Sequence, residues 1–75
     1  MILKTLLKSK IMDGTMRDNI EEGAEVDIVQ KQDQFSGDLT RGIVAEILTS
    51  SDQHPHGIKV RLESGQVGRV QNIIE

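Results

Sequence analysis

His54 and His56 flank a single proline, and Asp52 lies just upstream. Two imidazoles and a carboxylate at that spacing are donors for a divalent cation. Zinc, however, takes three or four protein ligands, and the chain has no cysteine and no third histidine. Pro55 fixes the backbone into a turn. The triplet therefore reads first as loop-ordering side chains that hydrogen-bond to backbone, then as a contact to a ligand or nucleic acid, and last as a metal site. No metal and no cofactor are expected.

Ser50-Ser51-Asp52 beside His54 offers the residue types of nucleophile, base and orienting acid. No nucleophile elbow or oxyanion-hole motif accompanies them, and a core this small leaves little room for a substrate cavity. Phosphate loops, dinucleotide fingerprints and calcium loops are missing too. The expectation is a protein that is not an enzyme.

Arg41, Lys59, Arg61 and Arg69 form the second candidate set. All four fall in segments with strand patterning, and Lys59 and Arg61 share one face. Basic side chains on a sheet surface can contact nucleic-acid phosphates. The ordinary alternative is a solvated face with Glu46 and Glu63 as cross-strand partners. Phe35 is the one aromatic residue, with no Trp and no Tyr. That shortage disfavours sequence-specific reading of single strands, which needs several stacking platforms. It equally disfavours aromatic cages and proline-rich peptide grooves. The acidic run Glu21, Glu22, Glu25 and Asp27 reads as a solvated edge that discourages strand-to-strand aggregation.

These residues have to be positioned by a chain of 75 residues, enough for one small domain. The net charge of −3 is unevenly spread: Lys4, Lys8 and Lys10 make the start basic, and residues 11–30 carry six acids against Arg17. This is not the profile of a strongly basic nucleic-acid binder. Ile2, Leu3, Leu6, Leu7 and Ile11 recur at helical spacing, predicting a short amphipathic helix over residues 1 to 12. Residues 1–17 are read as that extension and a linker, and 18–75 as the folded domain. No segment approaches the apolar length of a membrane span, and the lysine-broken start does not read as a signal peptide. With no cysteine, a reducing cytoplasm is the expected compartment.

Ile58, Val60 and Leu62 alternate with Lys59, Arg61 and Glu63, the period of a strand with one buried face. Glu63-Ser64-Gly65 then predicts a tight turn into a second strand through Val70. Val26 and Ile28 alternate with Glu25 and Asp27 in an earlier strand, residues 24–29. The run from Leu39 to Thr49 has apolar residues on both parities, predicting a strand that bends, with Gly42 as bulge or close-approach site and Gly68 as a second bulge. Residues 71–75 add an edge strand or a 3₁₀ turn. Four strands and a candidate fifth, joined by short links, predict an all-β antiparallel SH3-like barrel.

The run Val26-Asp27-Ile28-Val29, then Gly37, Leu39-Thr40-Arg41-Gly42-Ile43-Val44, then His54-Pro55-His56-Gly57-Ile58-Lys59-Val60-Arg61-Leu62 and Gly65-Gln66-Val67-Gly68-Arg69-Val70-Gln71 resembles the YwbE-like family over residues 18 to 73. That family is functionally uncharacterised, so the resemblance implies an identity and no catalytic residues. Gly23, Val26, Ile28, Gly37, Gly42 and Val44 also echo KOW-type SH3-like modules of ribosomal and transcription proteins. The expected function is a small binding module. It would touch structured RNA, a ribonucleoprotein or a nucleic-acid backbone through Arg41, His54, His56, Lys59, Arg61 and Arg69. The alternative is a protein-interaction module using the N-terminal helix or an edge strand.

Overall fold

A computed structural model of the chain describes residues 12–74. Five strands form one antiparallel sheet: β1 (Met12–Asp13), β2 (Glu25–Gln30), β3 (Thr40–Ile47), β4 (Lys59–Leu62) and β5 (Val67–Ile74). β2, β3 and β4 are neighbours in turn, and β5 pairs with both β2 and β4. Those four strands therefore close into a barrel, the small SH3-like form expected. Closure removes the open edges that so small a sheet would otherwise expose. The helix expected over residues 1 to 12 lies outside the described residues, except that Met12 is a strand residue.

The core follows directly from alternation. Val26, Ile28, Val44, Ile58, Val60, Leu62 and Val70 are at most 1% exposed, and Ile20 and Ile73 complete the cluster. All nine are aliphatic, as a chain with one aromatic requires. Ile58, Val60 and Leu62 face inward and Lys59, Arg61 and Glu63 outward. Gly65 at φ +101° makes the turn between β4 and β5.

Four differences from the sequence reading matter for the surface. The residues after Val70 are neither an edge strand nor a 3₁₀ turn. They continue β5, which lies between β2 on one side and β4 then β1 on the other. Of the two readings of Gly42, the bulge fails, since it pairs squarely with Val26, and the close approach holds, since a Cβ there would fall 2.6 Å from the Leu62 side chain. Gly68 is no bulge either, since it pairs in register with Gln30 and Val60. The irregularities fall at Ala45, an extra residue between the pairs Val44↔Leu62 and Glu46↔Arg61, and at Gln71, between Ile28↔Val70 and Asp27↔Asn72. An extra residue on one strand sharpens the local bend. Both bulges turn long strands around a core that flat strands could not enclose.

The polar segment after Asp13 is tied into the barrel. A 3₁₀ turn at Arg17–Asn19 delivers Ile20 to the core. Backbone bonds run from Ile58 N to Gly14 O (2.9 Å), from His54 N to Thr15 O (2.9 Å) and from Arg17 N to Asp52 O (2.8 Å). Residues 14–17 thus brace the loop that carries His54 and His56.

Candidate nucleic-acid interface

On the outer face of β2, β5 and β4, Val29, Arg69 and Lys59 lie side by side: Val29 pairs with Arg69, and Arg69 pairs with Lys59. Alternation places them there, since their neighbours Ile28, Val70 and Val60 all point inward. Two loops rise on either side of this row. One is residues 31–39, which opens with a 3₁₀ turn at Lys31–Asp33 and is held by Gly37 N donating to Asp33 O at 2.8 Å. The other is the His54–Gly57 turn, closed by Gly57 N donating to His54 O at 3.0 Å.

Between the loops runs a groove. One part, of about 480 Å3, is lined on the first loop by Gln34, Gly37 and Leu39 and on the second by Pro55 and His56, with Gln71 beside them. The next part, of about 440 Å3, takes in Lys31, Gln32, Lys59 and Val67. Val29, Gln34 and Arg69 belong to both, so the floor is continuous. Among the described residues, the charged side chains lining the groove are Lys31, Lys59 and Arg69, with His56 beside them, and no carboxylate is among them.

Hydrogen bonds fix its walls. Arg69 donates from Nη1 to Gly57 O at 3.1 Å. Gln71 donates from Nε2 to the carbonyls of His56 and Arg69, each at 3.2 Å. His54 Nδ1 accepts the backbone N–H of His56 at 3.1 Å, and the two rings stand 5.8 Å apart. Loss of hydration, then the positive charge of Arg69, then His56 hold the His54 imidazole below its ordinary pKa. Its Nδ1 lone pair is thereby committed to the turn. Among the described residues, no third His, Cys, Asp or Glu joins these two in a cluster that could hold a metal ion.

The six residues singled out from the sequence divide in space. His56, Lys59 and Arg69 line the groove, and His54 braces its wall. Arg41 and Arg61 are engaged elsewhere. Arg41 clamps Asp27 across β2 and β3, Nε to Oδ1 at 2.8 Å and Nη2 to Oδ2 at 3.1 Å. Asn72 donates a longer bond to the same carboxylate. Asp27 is consequently 7% exposed, covered by side chains lying over it on the outer face, rather than a solvated edge residue. The Arg41 guanidinium holds its carboxyl below the ordinary value, assisted by Asn72, although burial alone would raise it. Arg61 pairs with Glu46, the cross-strand partner foreseen.

Lys31 was missed, because it sits in a stretch that reads only as polar loop. The available signal was its place just beyond the strand that carries Val26 and Ile28; the structure extends that strand to Gln30 and sets Lys31 beside the sheet's outer face.

The family model described as uncharacterized conserved protein (DUF2196) matches residues 13–73 of this chain. Uncharacterized protein YwbE of Bacillus subtilis (strain 168) is 59% identical to it over 63 residues, covering 84% of this chain and 97% of that protein. No solved structure matches the chain significantly.

Proposed function

The chain belongs to the YwbE-like family of uncharacterized conserved proteins, and on that premise we propose that it is a non-enzymatic, cytoplasmic module that binds the phosphate backbone of structured RNA. One observation carries this reading. In a chain of net charge −3, the groove on the barrel's outer face gathers Lys31, Lys59 and Arg69, with no acid among its described lining residues. None of these three cations makes an ion pair among the described residues, whereas Arg41 and Arg61 both do. A cluster of like charges with no counterion among the described residues is poised to take one from a ligand, and a polyanion supplies several at fixed spacing. His56 stands at one wall, where its imidazole can hydrogen-bond to sugar or phosphate oxygens.

The test is fluorescence anisotropy of a labelled RNA hairpin. Binding weakens with added salt, with a log–log slope of about −2 to −3 for some three phosphates neutralised. Lys31→Glu and Lys59→Glu each weaken it about tenfold, and Arg61→Gln leaves it unchanged. The proposal fails if no RNA binds at low salt, or if Arg61→Gln matters as much as Lys59→Glu.

A further inference from the structure

Phe35 is the chain's sole aromatic residue, and its side chain is wholly outside the core, at 106% relative exposure. A buried phenylalanine is among the largest apolar contributions to a small domain, yet this core uses only aliphatic residues. A single exposed apolar residue is unremarkable by itself. Its position is not. Phe35 lies between Gln34 and Gly37, both of which line the basic groove, and Leu39 of the same loop lines it at 48% exposed. The loop is braced from within: Gly37 N donates to Asp33 O at 2.8 Å, Ser36 Oγ to Asp33 O at 3.2 Å, and Asp38 N to Ser36 Oγ at 3.3 Å. These bonds preorganise the segment that carries the ring. Neither the Phe35 ring nor the loop's own carboxylates, Asp33 and Asp38, are among the groove's lining residues, so the ring stands outside the groove on the loop that walls it.

We propose that Phe35 is a base-stacking platform at the rim of the groove, and that the site takes one unpaired nucleotide of an RNA whose phosphates lie along Lys31, Lys59 and Arg69. The inference rests on the backbone-binding function above and adds the nucleobase to it. An aromatic ring held beside a cationic track is the pairing by which proteins hold unpaired nucleotides without reading their sequence. One ring gives one stacking position, so the site accommodates one base and tolerates its identity.

The experiment compares two probes on the full chain: a short oligoadenylate, and an abasic phosphodiester of the same length. Phe35→Ala weakens oligoadenylate binding by roughly 5- to 100-fold and leaves the abasic probe unaffected. Phe35→Trp retains binding and places the only tryptophan at the site, so its emission changes on adding oligoadenylate and not on adding the abasic probe. Equal binding of both probes by the native protein, or a neutral Phe35→Ala, overturns the stacking role alone. Failure of both probes to bind at low salt overturns the stacking role, and failure of the RNA hairpin under the same conditions overturns the backbone reading as well. A Phe35→Ala effect confined to self-association in sedimentation assigns the ring to a protein contact and likewise overturns the stacking role.

Discussion

Lys59 stands directly opposite Arg69 across β4 and β5, and neither side chain makes an ion pair among the described residues. Like charges facing one another across strands oppose folding. Two residues further along β4, Arg61 is matched by Glu46, and on the neighbouring strand β3 Arg41 is matched by Asp27. The barrel thus satisfies its basic residues where it can and leaves them unmatched along the groove.

Lys59→Glu tests that contrast, because it turns a repulsive pair into an attractive one. The urea midpoint followed by far-UV circular dichroism rises, with a gain of up to about 0.5 kcal/mol for an exposed cross-strand pair. RNA affinity falls in the same variant. A simultaneous gain in stability and loss of binding separates a ligand-binding lysine from a structural one.

Asp27 makes stability depend on acid. Its folded pKa lies below the ordinary 3.8, so the unfolded chain takes up the proton first. The stabilisation is complete above about pH 4 and is lost as pH falls through the folded value. Asp27→Asn lowers the unfolding free energy by about 1 kcal/mol at neutral pH, since one charge-assisted partner is removed. The same variant shows a flatter stability profile below pH 4 in acid-titrated denaturation.

His54 titrates below its ordinary value of 6.5. Because the folded pKa is depressed, the turn is fully stable above about that pH and loosens as the imidazole takes a proton at Nδ1 and releases the His56 N–H. Proton NMR of the two histidines reads this directly. In Arg69→Gln the His54 midpoint moves up, since one of the charges holding it down is gone. An unmoved midpoint rejects the electrostatic link between the turn and the groove floor.

Gly57 is the backbone position least able to accept a side chain. It combines φ +102° with a Cβ position 2.3 Å from Val70 O. Gly57→Ala costs about 2–4 kcal/mol, from strain and from displacement of a strand carbonyl. Gly65→Ala, at a similar φ with open space around it, costs about 1 kcal/mol. Denaturant midpoints of the two variants rank them.

Alternation is a local property, and what depends on it was legible in the residues. Ile58, Val60 and Leu62 had to share a face, Val26 and Ile28 another, and Glu63-Ser64-Gly65 had to bend. Those facts determined the strands, the aliphatic core, the small barrel and the outward placement of Lys59 and Arg61. Register is not local. Two single-residue bulges reset it where the residues themselves carry no distinguishing signal: Ala45 brings Glu46 opposite Arg61, and Gln71 brings Asn72 opposite Asp27. Only the folded barrel decided that Arg41 meets Asp27, that Arg61 takes Glu46 rather than Glu63, and that Lys59 meets Arg69. Lys31 and Arg69 lie 38 positions apart in the chain, and no spacing rule joins them. Closing β5 against both β2 and β4 brings them to one groove, because barrel closure puts side chains from distant strands on a common outer face.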